Sequence, residues 1–312
     1  MNILVTGSEG YIGKMLVPEL DKEHNTIQVD IGWFDEESTF KHFNFKDLVS
    51  KDLEGIDCII HLAGLSNDPS AEYRTDLNYE INSSQTILLA HKAKEAGVKR
   101  FIFASSCSVY GFVSGPKASK ETDSPNPKYP YGISKLMAEV GLMALMDNNF
   151  LVTILRKGTV GGYSPRMRFD LVVNTMTKSA LLHNRILVKN ASLWRPVIDI
   201  RDVVRAYSMV VQKEAIGIHN IVQGNYTILQ IGQLVSDAIK EVTGRHPDLE
   251  ILDMVDLRNY KAEGSKALES FGFSPLYSIK DTVREILNHL EEYGDLNQKK
   301  FYNIEVMKEV LI

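Results

Sequence analysis

The sequence predicts a doubly wound α/β fold, in which helices cover both faces of a parallel sheet. Short, almost continuously apolar runs alternate with longer amphipathic segments through the first half of the chain, as buried parallel strands and their crossover helices do. A glycine-rich turn joins the first apolar run to the first amphipathic segment. The 312 residues are 44% hydrophobic and 24% charged, which fits a globular protein with one large or two moderate domains.

Strand-like and helix-like segments follow each other in a regular order. The strand-like runs, which are apolar almost throughout, span residues 2–6, 26–30, 57–63, 100–105 and 150–156. The segments with helical spacing between them are YIGKMLVPELDKEH, LNYEINSSQTILLAHKAKEAG and YGISKLMAEVGLMALM. Beyond residue 157 the alternation loosens, although strand and helix patterns return at 197–221, 228–242 and 279–292. We therefore expect one domain over residues 1–156 and a smaller, partly interleaved α/β region over 157–312, whose stretch near 197–221 returns to the first domain.

Charge and cysteine usage argue against several classes of protein. The formal net charge is -5, and Lys and Arg are scattered among acidic residues, so the sequence lacks the basic stripe that nucleic-acid binding needs. Both cysteines lie in apolar, strand-like surroundings without CxxC spacing, which favours reduced thiols and argues against a zinc site. The amino terminus shows no signal-peptide pattern, and no apolar run approaches the ~20 residues of a membrane helix. We expect a cytoplasmic protein with no metal, nucleic-acid or membrane partner.

The first strand-like run leads into the turn TGSEGYIG, which places Gly7, Gly10 and Gly13 in the spacing GxxGxxG. Such glycines allow a tight turn, let the backbone approach a pyrophosphate, and place the amino end of a helix against that anion. Asp30 closes the second strand-like run, where a carboxylate can accept both hydroxyls of a ribose. The same carboxylate repels a 2′-phosphate, so the pattern favours NAD over NADP unless a nearby Lys or Arg offsets it. The alternative is an ordinary glycine-rich turn with an unrelated aspartate.

A tyrosine and a lysine in YPYGISK, Tyr131 and Lys135, lie four residues apart and share one face of the predicted helix. An ammonium beside a phenol favours the phenolate, which would lower a pKa that starts near ~10. A tyrosine in that setting can pass protons to and from a sugar hydroxyl. A surface tyrosine with a solvated lysine is the alternative, because this spacing is also expected by chance.

These motifs, together with HLAG at 61–64, YEINSSQT around Asn82 and SSCSVYG at 105–111, resemble the extended short-chain dehydrogenase/reductase family, particularly its NAD-dependent nucleotide-sugar epimerases and dehydratases. The resemblance covers essentially the whole chain. It implies a Rossmann-type sheet, NAD as cofactor, a nucleoside-diphosphate sugar as substrate, and a homodimer paired through the stretches 78–96 and 131–147. The residues that it places at the cofactor are Gly7, Gly10, Tyr11, Ile12, Gly13, Asp30, Asn44, Phe45, Leu62, Ala63, Gly64, Asn82, Tyr131 and Lys135.

The resemblance also implies a catalytic serine. In the similar epimerases two residues separate a Ser or Thr from the strand-end VYG, and that position is Ser106 here. Ser106 is thus expected to hydrogen-bond the reacting sugar oxygen beside Tyr131, with Lys135 as the third catalytic residue. Nucleotide-sugar 4,6-dehydratases carry an acidic pair directly afterwards, whereas this chain has Cys107 and Ser108. Dehydration therefore loses most of its support, and we expect Cys107 to be a small buried packing residue.

The second half of the chain supplies candidate substrate ligands. Arg195 in WRPVIDIRD and Arg258 in DLRNY lie where similar epimerases bind the nucleotide diphosphate, and a planar guanidinium suits that anion. Either arginine could instead form a surface ion pair. Asn174 in SPRMRFDLVVN matches the family's nucleotide-binding asparagine, and Thr159 replaces an asparagine that contacts the sugar nucleotide in many epimerases.

The leading hypothesis is an NAD-dependent nucleotide-sugar epimerase that oxidises its substrate transiently at carbon 4. The alternative is a nucleotide-sugar 4-dehydrogenase or 4-ketoreductase, which performs half of that cycle with the same residues. A 4,6-dehydratase, or a non-catalytic dinucleotide-sensing regulator on the same fold, fits less well, since a regulator does not need the catalytic trio. His61 lies inside an apolar strand, and we expect it to be a hydrogen-bonded core residue.

Overall fold

The strands of the protein form one large parallel sheet and two small sheets. The computed structural model describes residues 1–34, 43–113, 115, 117–253 and 258–311. Its strands are β1 (Asn2–Thr6), β2 (Asn25–Val29), β3 (Cys58–His61), β4 (Arg100–Ser106), β5 (Leu151–Lys157), β6 (Thr159–Gly161), β7 (Arg185–Lys189), β8 (Trp194–Asp199), β9 (Gly217–Ile221), β10 (Gly224–Thr227) and β11 (Asp248–Leu252). The large sheet has the order β2-β1-β3-β4-β5-β9, and each pairing within it is parallel.

Most of the α-helices lie between successive strands along the chain. The helices are α1 (Gly13–Leu20), α2 (Asp68–Tyr73), α3 (Thr75–Tyr79), α4 (Thr86–Glu95), α5 (Pro130–Leu145), α6 (Val172–His183), α7 (Ile200–Lys213), α8 (Ile228–Thr243), α9 (Ser265–Phe271), α10 (Ile279–Asn288) and α11 (Asn303–Val310). A π-helical turn, Glu80–Gln85, joins α3 to α4. None of the helices in the described ranges is both long and apolar enough to cross a membrane.

The large sheet separates two hydrophobic clusters. Side chains alternate across a strand, so Ile3 and Val5 of β1 join the cluster that includes α1 and α7, whereas Leu4 joins the cluster that includes α4 and α5. These three side chains are at most 1% exposed. Burial on both faces explains why the strands read as continuous apolar runs, and the predicted doubly wound α/β architecture is confirmed.

The second half of the chain builds the two small sheets. One has the order β10-β8-β6, and the other pairs β11 with β7. Helices α6, α8 and α10 pack with these strands around a third apolar cluster. The chain then returns to the large sheet, because β9 pairs with β5 in parallel. The division of the chain into a cofactor domain and a substrate region stays a prediction.

Candidate active site

A cavity of about 940 Å³ opens at the carboxyl ends of the central parallel strands. Its lining includes residues that follow or end four of them: Gly7 after β1, Leu62 after β3, Ser106 in β4 and Lys157 in β5. The strand order reverses between β1 and β3, and ligands of open α/β sheets bind outside the strand ends at such a point. The fold therefore places the cavity where a dinucleotide is expected.

Most of the predicted site residues line this cavity. They are Gly7, Gly10, Tyr11, Ile12, Gly13, Asp30, Asn44, Phe45, Leu62, Ala63, Gly64, Ser106, Tyr131, Lys135, Thr159, Arg195 and Arg258. Asn82 and Asn174 are the exceptions. The role predicted for each residue stays a prediction, because lining a cavity does not by itself show a contact with a ligand.

The turn after β1 packs closely against the backbone that follows β3, and only a glycine fits at the contact. Gly7 has a φ of +75°, and a Cβ there would lie 2.7 Å from the backbone nitrogen of Ala63. The Gly10 amide donates to the Gly7 carbonyl at 3.1 Å, which closes the turn. Helix α1 begins at Gly13, so its amino end, which attracts anions, is part of the cavity lining.

Asp30 follows β2, and two backbone amides fix its carboxylate. Glu9 donates to Oδ2 at 3.0 Å, and Gly32 donates to Oδ1 at 2.9 Å. An ionised carboxylate has about four acceptor sites, so both oxygens can still accept a ribose hydroxyl. The glycine turn and this fixed carboxylate together fit the pyrophosphate and the ribose of a dinucleotide.

The candidate catalytic residues come from two neighbouring elements. Ser106 ends β4, while Tyr131 and Lys135 lie in the first turns of α5, which begins at Pro130. The Lys135 Nζ lies 5.9 Å from the centre of the Tyr131 ring and 4.8 Å from the centre of the Phe103 ring. The structure therefore brings the three residues that the sequence singled out to one side of the same cavity.

Burial controls the pKa values of this trio. Burial raises the pKa of Tyr131 to about 12. The charge of Arg168 and a hydrogen bond with Ser106 lower this pKa, but their combined effect is smaller than that of burial. Burial also lowers the pKa of Lys135 to about 8, against the charge of Glu139. The expectation that Lys135 brings the pKa of the phenol below its usual value is wrong for the protein alone, because desolvation disfavours the charged form of both groups.

Of the two residues that follow Ser106, Ser108 lines the cavity and Cys107 is buried in the core. The Ser108 hydroxyl lies 3.1 Å from the Ser106 hydroxyl and 3.2 Å from the Tyr260 hydroxyl, so a chain of hydroxyls extends along the cavity. Cys107 is 1% exposed and its Sγ donates to the Arg156 carbonyl at 3.3 Å. Cys107 is a buried packing residue, as expected, and it does not line the cavity.

Arg195 and Arg258 interact with each other at the cavity. The Arg195 Nη1 donates to the backbone carbonyl of Trp194 at 2.9 Å. It also donates to the backbone carbonyl of Arg258. The Arg258 Nη1 pairs with Asp68 at 2.7 Å, and Asp68 is buried at the start of α2. Arg258 therefore forms an ion pair that lines the cavity, and it links the segment before α9 to the start of α2.

Asn82 and Asn174 organise backbone behind the cavity. The Asn82 side chain donates to the Leu65 carbonyl at 2.8 Å. The Asn174 side chain accepts from the Gly162 amide at 2.9 Å and donates to the Arg168 carbonyl at 2.8 Å. Both side chains are fully buried, so the structure shows them as loop-ordering groups and does not place them at the surface of the cavity. The family pattern identified the positions, but pattern alone does not tell which way an amide points.

His61 is a core residue, as the sequence predicted. It is fully buried, and its ring nitrogens lie 2.6 Å from the Thr6 hydroxyl and 2.9 Å from the Thr86 hydroxyl. Burial and the charge of Lys135 lower the pKa of His61 to about 3, so the ring is neutral at physiological pH.

Several polar residues that line the cavity were not assigned from the sequence. They are Ser66, Asn67, Asp68, Ser108, Lys157, Arg166, Arg168, Asp170, Tyr260 and Asn303. Tyr260 lies two residues beyond Arg258 in the same motif, and the two arginines precede Asn174 in SPRMRFDLVVN, so local signals existed for these three. Asn303 had none, since it lies near the end of a chain segment that carries no motif.

The model of the NAD dependent epimerase/dehydratase family matches residues 3–223, which span the large sheet and the cavity strands. The chain belongs to this family. The resemblance read from the motifs is thereby confirmed, and so is NAD as the cofactor.

Relatives and solved structures agree with this assignment. An uncharacterized UDP-glucose epimerase, YtcB, of Bacillus subtilis is 30% identical over 93% of this chain and 98% of its own length. A GDP-6-deoxy-D-mannose reductase of Pseudomonas aeruginosa is 26% identical over 93% and 97% of the two chains. MoeE5 in complex with UDP-glucuronic acid and NAD has a TM-score of 0.81 at 26% identity, and it covers 94% of this chain and 100% of its own. UDP-glucuronic acid 4-epimerase from Bacillus cereus, solved with the same two ligands, has a TM-score of 0.81 at 25% identity and the same coverage.

Proposed function

We propose that this protein is a nucleotide-sugar epimerase that oxidises its substrate transiently at carbon 4 of the sugar. The observation that carries the proposal is the meeting of Ser106, Tyr131 and Lys135 in the cavity that also contains the glycine turn and Asp30. The glycine turn and Asp30 would hold a dinucleotide in the same cavity as the trio. The cavity lies at the upper end of the ~300–1,000 Å³ range of ligand sites, as expected for a site that holds two ligands.

Each residue of the trio has a distinct task in this proposal. Tyr131 takes the proton of the sugar hydroxyl and later returns it, and Ser106 hydrogen-bonds the same oxygen. NAD, held by the glycine turn and Asp30, would supply hydride transfer to and from carbon 4, and its positive charge would favour the phenolate that burial disfavours. Lys135 adds a positive charge near the Tyr131 ring and would orient the cofactor's ribose. Rotation of the 4-keto sugar between the two transfers inverts the carbon.

Dehydration receives little support from the cavity lining. The positions after Ser106 are a buried thiol, Cys107, and a hydroxyl, Ser108, neither of which serves as an acid or base near neutral pH. Among the described lining residues the carboxylates are Asp30, Asp68 and Asp170. The first accepts two backbone amides, and the others form ion pairs with arginines.

An oxidoreductase that stops after one hydride transfer is the second candidate. The similarity to the Pseudomonas aeruginosa reductase along nearly the whole chain favours it. The same trio serves both reactions, because proton transfer at a single carbon is common to them. The two candidates differ only in whether the hydride returns to the same sugar.

The test is to incubate the purified protein and NAD with a panel of nucleoside-diphosphate sugars and to follow the sugars by NMR. An epimerase converts one substrate into its carbon-4 epimer with no net change in NADH. An oxidoreductase consumes or produces NADH in a one-to-one ratio with product. Failure to act on every sugar nucleotide, by a folded protein that binds NAD, would overturn the proposal. Tyr131→Phe is the control that links any conversion to this site.

A further inference from the structure

A polar cluster outside the catalytic trio lines the cavity where separate chain segments meet. Arg166 comes from the loop between β6 and α6, Ser66 from the loop after β3, and Asn303 begins α11. Asn303 accepts a hydrogen bond from the Arg166 Nη2 at 2.5 Å and donates to the Ser66 Oγ at 2.6 Å. The Arg166 guanidinium also lies over the Phe34 ring, 3.6 Å from its centre. These contacts hold the guanidinium in one place.

Two donors of this guanidinium have no hydrogen-bond partner among the described residues. The Arg166 residue is only 7% exposed, yet its Nε and Nη1 have no hydrogen-bond partner within the part of the chain that the structure describes. Burial and the charge of Arg168 lower the pKa of Arg166 to about 9, because both disfavour the charged form. Arg156 differs, because its guanidinium donates to both carboxylate oxygens of Glu139. Since an unpaired buried charge is costly, the geometry of Arg166 indicates an anionic ligand.

The loop that carries Arg166 is bound directly to the glycine turn. The Tyr11 hydroxyl donates to the Gly162 carbonyl at 2.7 Å, and the Ser164 hydroxyl donates to the Tyr11 carbonyl at 2.8 Å. The Arg166 amide in turn donates to the Ser164 hydroxyl at 3.2 Å. Asp30 is close enough to act on the charge of Arg166. The guanidinium therefore lies beside the turn that suits a pyrophosphate and the carboxylate that suits the adjoining ribose.

We propose that Arg166 binds the pyrophosphate of NAD through its free donors, and that Asn303 in the C-terminal helix α11 orients it for this contact. The glycine turn then meets the phosphates with backbone amides on one side, and the guanidinium meets them on the other. Arginine suits this task because its planar fork makes charge-assisted hydrogen bonds to phosphate oxygens. The proposal concerns cofactor binding and holds for either of the reactions discussed above.

The test is titration of the protein, freed of any co-purified dinucleotide, with NAD and with adenosine, which lacks phosphates. Loss of charge-assisted hydrogen bonds in Arg166→Gln is expected to raise the Kd for NAD about 10- to 100-fold while leaving the Kd for adenosine unchanged. Arg166→Lys keeps the charge and is expected to bind NAD more tightly than Arg166→Gln. Arg284→Gln removes an exposed arginine of α10 that does not line the cavity, and it is the matched control with no expected effect.

Two results would overturn this assignment. One is an Arg166→Gln protein that binds NAD as tightly as the wild type does. The other is an equal loss of affinity for NAD and adenosine, which would make Arg166 a structural residue; thermal unfolding of each variant shows whether it is folded. Asn303→Ala is expected to weaken NAD binding less than Arg166→Gln does, and an unchanged Kd in that variant would remove α11 from the proposal.

Discussion

The two walls of the cavity are built in different ways. Strand ends and helix starts of the large sheet form one wall, which we call the sheet wall, and it carries the glycine turn, Asp30, Ser106, Tyr131 and Lys135. Residues from Gly158 onward form the other, the loop wall, which carries arginines at 166, 168, 195 and 258. The sheet wall offers backbone amides and buried acid–base groups, whereas the loop wall offers fixed positive charges.

The difference between the walls separates chemistry from charge recognition. Groups on regular elements are held by many neighbours, which suits proton transfer at a defined distance. The arginines of the loop wall are instead held by a few polar contacts, as in the ion pairs Arg168–Asp170 and Arg258–Asp68. Substitutions of the acid–base groups in the sheet wall should therefore reduce turnover, and substitutions of the arginines in the loop wall should reduce affinity.

The largest effect is expected for Tyr131→Phe in the sheet wall. The change removes only the phenolic oxygen, so folding and NAD affinity should be unaffected while kcat falls about 10²- to 10⁴-fold. Steady-state kinetics with the sugar nucleotide identified by NMR, together with NAD titration, checks this. A folded Tyr131→Phe enzyme with near-normal turnover would remove proton transfer from the sheet wall.

Ser106→Ala is expected to have the next largest effect. It deletes one hydrogen bond to the reacting oxygen but leaves the proton acceptor, so kcat should fall by about 10- to 100-fold, less than in Tyr131→Phe.

Lys135→Met should lower both kcat and the affinity for NAD, since the ammonium serves the tyrosine and the cofactor. The same assay and titration give the ranking, and a greater loss in Ser106→Ala than in Tyr131→Phe would reverse the assigned roles.

In the loop wall, Arg258→Gln should act on affinity alone. Loss of one charged donor to the nucleotide diphosphate is expected to raise KM for the sugar nucleotide about tenfold, with kcat and the Kd for NAD nearly unchanged. Arg284→Gln again serves as the matched exposed control. If kcat fell and KM did not, the proposed separation between the two walls would be wrong.

Asp30→Asn tests the end of the cavity where the walls meet. Removal of the carboxylate should weaken NAD binding and reduce the preference for NAD over NADP about tenfold or more, because a hydrogen bond to a charged group contributes about 1.5–3 kcal/mol. Once asparagine replaces Asp30, the neighbouring positive charge of Arg166 can attract the 2′-phosphate of NADP. Calorimetric titration with both dinucleotides measures the change, and tighter binding of NADP by the wild type would contradict the prediction.

The smallest effect on turnover is expected for a change far from both walls. Leu88 of α4 and Met137 and Val140 of α5 are 43%, 48% and 65% exposed, on the helices predicted to pair in a homodimer. Light scattering should give twice the 35.1 kDa of one chain, and Val140→Asp should reduce that mass by placing a charge in the interface. A molar mass near 35.1 kDa for the wild type at micromolar concentration would contradict the predicted homodimer.

The two walls also differ in how far the sequence predicted them. The sheet wall follows from local rules: strand periodicity, glycine spacing, and the helical spacing of Tyr131 and Lys135. The contact of Arg166 with Asn303 joins residues 137 positions apart, and no local pattern encodes such a pair. The pKa of Tyr131 was also missed, because desolvation depends on how the surrounding elements pack. Asn82 and Asn174 do not line the cavity, and the ligand roles expected for them stay predictions.

β9 follows its partner strand β5 by about 60 residues in the sequence, which has a consequence for synthesis of the chain on the ribosome. β9 covers the edge of β5 with residues 217–221, so the large sheet stays one strand short until the chain has been made that far. Until then the edge of β5, whose residues 152–157 are buried in the finished protein, can pair with other chains. A fragment that stops near residue 156 would carry the glycine turn and the trio but would also keep this open edge. Expression of the first half alone should therefore yield aggregates, while fragments that extend past residue 221 should be more soluble.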